Sequence, residues 1–162
     1  MENRMMMRDA WGRTIAGDGG HCPICDRWGK IYIRNINKTM AQGLVWLNHQ
    51  TGDEDGWVNV PITGPQWLVR SNQLATLHWW NLVERKSKDD SHKSKFSGIW
   101  RTTRLGKDFV AGLIRVPRSV YTYNNTVVKH GDEDVLLSEC LDEGFDYNQV
   151  MSTNLHGSNT RI

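Results

Sequence analysis

The sequence predicts an α+β fold, and residues 71–110 provide the observations that predict it. Apolar residues within 71–81 recur at helical spacing, and an extended run begins at Leu82. Lys86 to Ser97 is polar and lacks apolar periodicity, which predicts a loop. Ile99 to Thr103 is rich in β-branched and aromatic residues, as a returning strand would be, and a helical pattern follows it. The predicted order is therefore helix, strand, charged loop, strand and helix.

Polar residues mark where these helices are expected to begin and end. Asn37 and Thr103 are predicted N-caps, because each side chain can accept a hydrogen bond from an unpaired helical N–H group. Ser71 or Asn72 is expected to cap the start of the helix that follows. Asn81 is expected to end that helix in the left-handed conformation, which Asn tolerates better than most residues.

The remaining segments are predicted from apolar spacing and turn residues. They are a first helix with Met40, Leu44 and Leu47 on one face, a strand at 57–60, a short helix at 64–69, a hairpin at 113–128 turning at Asn124 and Asn125, and a helix at 136–141. The strand at 57–60 is expected to pair with the two strands that flank the charged loop.

Two stretches resemble those that frame the wing of winged-helix regulators. They are WWNLVER at 79–85 and WRTTRLGKDF at 100–109, and they are similar to the Gly-Leu-Val-Glu-Arg and Leu-Thr-x-x-Gly-x-x-Phe motifs common in that family. The resemblance covers roughly residues 38–113, about half of the chain. Asn81 stands where Gly is usual, and the charged loop is longer than a typical wing. With Cys-Pro-Ile-Cys at 22–25, the chain is also similar to short bacteriophage proteins.

These observations predict four parts in the chain. They are an N-terminal segment with a Cys-x-x-Cys knuckle at 1–36, a winged-helix domain at 37–113, a β-hairpin and acidic helical extension packed on that domain at 114–151, and a flexible tail at 152–162. A chain of 162 residues is long enough for one domain with such appendages.

Charge is unevenly distributed along the chain, although its formal total is only +2. Residues 84–107 hold eight Lys or Arg against three acids, whereas residues 131–162 hold seven acids against one Arg. A basic loop beside a helix suits phosphate binding, which releases counterions. The candidate phosphate contacts are Lys86, Lys88, Lys93, Lys95, Arg101 and Arg104. The alternative is a loop that its charge merely keeps solvated.

The predicted helix of residues 71–81 would recognise the base sequence of the DNA. Ser71, Asn72, Gln73 and Thr76 are expected at its start and outer face, where a recognition helix meets the major groove. Asn and Gln can pair with adenine through two hydrogen bonds, whereas Ser and Thr are less selective. The alternative is that these polar residues only cap the helix.

Cys22 and Cys25 form the second chemical signal. Two intervening residues let both thiolates reach one tetrahedral ion, so we expect a zinc site. Further ligands would come from a second copy of the chain, as in a homodimer, or from one of the other His and Cys residues: His21, His49, His78, His130, His156 and Cys140. The alternative is two buried thiols that act as small hydrophobic groups.

The sequence therefore favours a cytoplasmic protein, of phage type, that binds double-stranded DNA and regulates transcription. Its binding could be sequence-specific or general. The alternative is a winged-helix module that binds a host or phage protein, because fold alone does not decide function. No stretch reaches the roughly 20 apolar residues of a membrane helix, and the N-terminus lacks the apolar core of a signal peptide. An enzyme is not expected, since no nucleophile elbow or phosphate loop is present.

Overall fold

Residues 2–86 and 98–141 are described by the computed structural model of the chain, and they divide into two units. The first unit contains residues 2–35 and 117–133, and the second contains the remaining described residues. Each unit combines helices with small antiparallel sheets, in agreement with the predicted α+β class. No helix among the described residues has the length and apolar character that crossing a membrane requires.

The second unit is built on helix α2, Lys38–Thr51. Asn37 is its N-cap, as predicted, because its side-chain oxygen accepts a hydrogen bond from the Met40 N–H group at 2.9 Å. The helix buries more than one stripe of side chains, so it lies in the centre of the unit. Its most deeply buried side chains are Leu44, Trp46 and Leu47.

The region predicted as one helix over 71–81 contains two shorter pieces. After α3, Val60–Thr63, the chain forms α4, Gln66–Ser71, and then a 3₁₀ helix, Leu74–Trp80. Asn72 separates the two in the left-handed conformation, with φ of 52°. The prediction that Ser71 or Asn72 caps the start of the second helix is therefore wrong. Both residues end the preceding helix instead, and left-handed Asn is well suited to that position.

The 3₁₀ geometry follows from the spacing of the buried side chains. Leu74, Leu77 and Trp80 recur every third residue and are all buried, which matches a helix with three residues per turn. In an α-helix His78 would share a face with Leu74, yet His78 is exposed. Asn81 ends the 3₁₀ helix with φ of 59°, as predicted.

Three strands follow: β4, Val58–Asn59, β5, Val83–Arg85, and β6, Ile99–Thr102. They form an antiparallel sheet in the order β4, β6, β5. Val83 pairs with Thr102, and Val58 pairs with Trp100, so the predicted pairing of all three strands is confirmed. The predicted loop at 86–97 lies outside the described residues after its first position.

Helix α5, Arg104–Val110, packs closely against the end of this sheet region. Thr103 is its N-cap, as predicted, and its hydroxyl oxygen accepts a hydrogen bond from the Gly106 N–H group at 3.0 Å. A Cβ atom on Gly106 would lie 2.1 Å from the Leu82 carbonyl oxygen. Only glycine therefore permits the observed approach of helix to backbone.

The second unit is completed by residues from the C-terminal part. The short strands β7, Val116–Pro117, and β10, Asp134–Val135, pair with each other, and α6, Leu137–Cys140, follows. Val135, Leu137 and Cys140 are buried. The predicted helix at 136–141 is confirmed in its place, and its apolar side contributes to a core.

The first unit begins with helix α1, Glu2–Ala16, which the sequence analysis did not predict. Trp11 and Ile15, four residues apart, are partly buried, but Met5 and Met6 are largely exposed, so the periodic signal of the helix is weak. The short strands β1, Gly20–His21, and β2, Trp28–Gly29, then form an antiparallel pair around the two cysteines.

A second three-stranded sheet completes this unit in the order β3, β8, β9. Its strands are Tyr32–Asn35, Ser119–Tyr123 and Thr126–His130. Asn124 and Asn125 form the predicted hairpin turn, with φ of 52° and 61°, the two positive values that a tight hairpin requires. This hairpin pairs with β3 and is grouped with the N-terminal segment, whereas the prediction packed it on residues 37–113.

Candidate functional site

Three of the six predicted phosphate contacts lie in the described part of the second unit. Lys86 follows β5, where its backbone N–H donates to the Ile99 carbonyl oxygen at 2.9 Å. Arg104 begins α5, and 90% of its side chain is exposed, with an ion pair to Asp108 at 3.5 Å. Arg101 lies in β6. The other three contacts, Lys88, Lys93 and Lys95, lie outside the described residues.

Arg101 is held by several neighbours and is less accessible than Arg104. Its guanidinium group lies over the Trp57 ring, 4.1 Å from the ring centroid. Its Nε atom donates to the Glu84 carboxylate, and Nη1 donates to the Asp55 carbonyl oxygen at 3.3 Å. A phosphate group would have to compete with Glu84 for this side chain. Arg101 therefore links β6 to Glu84 in β5 and to the segment that carries Asp55 and Trp57.

A second cation, Lys107, connects α5 to the turn after α2. Its Nζ atom donates to the Gly52 carbonyl oxygen at 3.1 Å and to the Asp55 carboxylate. The hydrogen bond and charge of Lys107 lower the pKa of Asp55 below its usual value. Asp55 belongs to a Gly-Asp-Glu-Asp stretch, and this contact gives it a structural role.

The four predicted base-reading residues do not share one helix. Ser71 ends α4 and donates to the Leu68 carbonyl oxygen at 2.8 Å, while Asn72 forms the left-handed link that follows. Gln73 precedes the 3₁₀ helix, and its side-chain oxygen accepts a hydrogen bond from Asn37. Thr76 donates to the Gln73 carbonyl oxygen. Their predicted placement at the start of a single helix is therefore wrong, and Asn72 is the most exposed of the four.

The two predicted metal ligands lie in the turn between β1 and β2. Cys22 donates its backbone N–H to the Arg27 carbonyl oxygen at 2.8 Å, and the Asp26 N–H donates to the Cys22 carbonyl oxygen at 2.8 Å. Asp26 adopts φ of 59°, so it takes the left-handed conformation for which a metal knuckle commonly uses Gly. Two backbone hydrogen bonds and the left-handed Asp26 therefore close the turn that carries both cysteines.

The electrostatics of the turn also favour a metal-binding thiolate. The backbone N–H groups of Cys25 and Ile24 donate to the Cys22 sulfur and lower the pKa of its thiol. Cys25 is exposed, which does not fit the alternative of two buried thiols. The His21 ring lies beside the turn, with Nδ1 2.9 Å from the Asp26 carbonyl oxygen. Within residues 2–86 and 98–141, however, no three His, Cys, Asp or Glu side chains group as metal ligands.

A basic and aromatic cavity in the first unit was missed by the sequence analysis. It has a volume of about 270 Å³ and lies between residues 27–34 and the hairpin turn at 122–125. An alternating pattern in the sequence could have revealed it. Glycine and isoleucine residues separate Trp28, Lys30, Tyr32 and Arg34. Residues at every second position of an extended chain share one side.

No protein-family model, curated protein or solved structure matches the chain.

Proposed function

We propose that residues 36–116 form a winged-helix domain that binds double-stranded DNA, in a phage-type transcriptional regulator. One observation carries the proposal: the order α2, α3–α4, 3₁₀ helix and sheet β4-β6-β5, with a stretch of basic sequence between β5 and β6. In that arrangement the basic stretch corresponds to the wing, and the 3₁₀ helix corresponds to the recognition helix. The net charge of +5 over residues 84–107, eight cations against three acids, supports contact with phosphates.

The contacts within the site favour general over sequence-specific binding. Ser71, Gln73 and Thr76 already use side-chain groups in hydrogen bonds within the protein. Asn72 is exposed, but one side chain reads little sequence. Cations such as Arg104 position a protein on DNA without reading bases. We therefore propose an affinity that phosphate contacts dominate, with modest sequence preference.

The proposal is tested by removing two cations from the wing. Lys93→Ala with Lys95→Ala is expected to weaken binding to many duplex sequences about equally and to lower the salt slope by roughly two. Fluorescence anisotropy with random duplexes at several salt concentrations measures both effects. Arg4→Ala with Arg8→Ala on α1 removes the same charge elsewhere and serves as the matched control. Unchanged binding of the Lys93/Lys95 variant at every salt concentration would refute the wing contact.

A second function, docking to a host or phage protein, is favoured by a cleft in the same unit. The cleft has a volume of about 230 Å³ and is lined mainly by apolar side chains, among them Val60, Leu68, Val69 and Trp100. Ile62 is largely exposed in the neighbouring helix α3. An interface centred on such residues would depend weakly on salt, in contrast to DNA binding. The salt titration therefore separates the two functions.

A further inference from the structure

The cavity of the first unit combines cations with aromatic rings on one side of a short chain segment. Trp28, Lys30, Tyr32 and Arg34 all line it, together with Arg27. The opposite wall is the hairpin turn of residues 122–125. All of these residues belong to the first unit, so the lining includes no residue of the 3₁₀ helix or of the β4-β6-β5 sheet.

The charge of the lining selects an anionic ligand. Three cations line the cavity, and its lining residues include no Asp or Glu. Lys30 and Arg34 both lie against the Tyr32 ring, with 5.5 Å and 5.3 Å from the cationic atoms to the ring centroid. The ring therefore keeps both positive groups beside the cavity. A negatively charged group such as a phosphate complements this wall.

The aromatic part of the lining is exposed and held in place. Half of the Trp28 surface is accessible, although a large aromatic ring is usually covered. Its indole ring lies so close to Gly19 that a Cβ atom there would be 2.7 Å from Cζ2. The His21 ring contacts it edge-on, with 5.4 Å between the ring centroids. A fixed and exposed indole is a suitable surface on which a planar base can stack.

We propose that this cavity binds single-stranded nucleic acid, with phosphates on Arg27, Lys30 and Arg34 and an unpaired base on Trp28. A duplex presents phosphates but keeps its base faces stacked inside, so it cannot use the indole ring. The volume of about 270 Å³ lies just below the roughly 300 Å³ at which pockets for drug-sized ligands begin. Such a space suits one nucleotide of a flexible strand. The hydrogen bond from Cys22 N–H to the Arg27 carbonyl oxygen fixes the start of this segment.

The test uses the full chain with a fluorescent oligothymidylate and with a duplex of equal length. Lys30→Gln with Arg34→Gln is expected to weaken binding of the single strand at least about tenfold, while duplex binding changes little. Lys129→Gln, which removes one positive charge of the same unit, is the control. Lys129 lies over the Tyr121 ring at 5.4 Å, and Tyr121 neighbours Thr122 in β8 and so points to the other face of the sheet. This variant should bind the single strand as the parent does, apart from a small general charge effect.

A second pair of variants separates stacking from charge and from misfolding. Trp28→Ala should lose most single-strand affinity, whereas Trp28→Phe, which keeps an aromatic face, should retain most of it. Equal binding by the parent and the Lys30/Arg34 variant would overturn the proposal. Equal losses of single-strand affinity in Trp28→Ala and Trp28→Phe would also overturn it. The same holds if the Lys30/Arg34 variant lost affinity for the single strand and the duplex equally. The Lys93/Lys95 variant tests only the winged-helix proposal, because those two residues do not line this cavity.

Discussion

The side chains of Asn37 and Gln73 are joined by a hydrogen bond, with 2.6 Å between Asn37 Nδ2 and Gln73 Oε1. The same Asn37 side chain caps α2 through its oxygen atom. One residue thus fixes the start of α2 and the residue before the 3₁₀ helix. The Gln73 oxygen already accepts this hydrogen bond, so a base that donates to the same oxygen would have to share it with Asn37. Recognition of adenine through two hydrogen bonds would therefore compete with the link to Asn37.

The two roles of Asn37 can be separated by substitution. Asn37→Ala removes the cap and the link and is expected to lower the free energy of unfolding by about 1 kcal/mol or somewhat more. Asn37→Asp keeps an oxygen atom that can cap α2, but it cannot donate to Gln73. It should therefore lower the free energy of unfolding less than Asn37→Ala does. Urea denaturation of the three proteins measures the differences. A variant Asn37→Ala as stable as the parent would contradict both roles.

Gly106→Ala is expected to destabilise the second unit strongly. Alanine is the better helix former, by roughly 1 kcal/mol, yet its Cβ atom would lie 2.1 Å from the Leu82 carbonyl oxygen. That atom belongs to the backbone, so α5 would have to move, at a cost of about 1–3 kcal/mol or more. The control is Gly12→Ala in α1, where a Cβ atom meets nothing within 4 Å. If the two substitutions change the urea midpoint of unfolding by the same amount, the close approach of Gly106 to Leu82 is wrong.

Because Asp55 pairs with Lys107, we expect the free energy of unfolding to fall at low pH. The pKa of Asp55 is lowered in the folded protein, mainly by the hydrogen bond from Lys107. The unfolded chain therefore binds a proton at this group at a higher pH than the folded chain does. The stabilisation is present above the unfolded pKa and is lost as pH falls through the folded pKa. Lys107→Met should raise the pKa of Asp55 toward its usual value of 3.8, measured by NMR titration. An unchanged pKa would exclude the pair.

Elemental analysis tests the cysteine knuckle. Freshly purified, reduced protein is expected to carry about one zinc per chain, or one per two chains if two copies share it. Cys22→Ser should release the metal and loosen the N-terminal segment, because structural zinc contributes directly to folding. Because the pKa of the Cys22 thiol is lowered, protons compete with zinc less than at an ordinary thiol. Protein without metal under these conditions would rule out the site.

The sequence predicted those features that depend on neighbouring residues. The caps at Asn37 and Thr103 and the turn at Asn124 and Asn125 arise from short-range contacts or backbone preferences, and each was found. The 3₁₀ helix was assigned the wrong type because Leu74 and Leu77 satisfy the spacing of both kinds of helix. The pairing of β3 with β8 joins Arg34 to Val120, and local patterns do not reveal a contact between such distant residues.

Residues after Glu133 are expected to stabilise the second unit through a small buried cluster. Val135, Leu137 and Cys140 are 1%, 6% and 9% exposed, respectively. Glu139 adds an ion pair to Arg115 at 3.2 Å and accepts a hydrogen bond from the Leu136 N–H group at 2.9 Å. Burial of one Val and one Leu side chain contributes roughly 3–6 kcal/mol by area. Truncation after Glu133 should therefore lower the thermal midpoint by several degrees.

A second truncation, after Leu141, provides the control for this experiment. It keeps the buried cluster and the Arg115–Glu139 contact, and it removes the same C-terminal acids beyond α6. If the cluster carries the stabilisation, calorimetry will show a larger loss for the shorter chain than for the longer one. Equal melting of the parent and the chain ending at Glu133 would mean that the burial of Val135 and Leu137 stabilises nothing. An equal loss in both truncations would assign the effect to residues 142–162, because only those are missing from both.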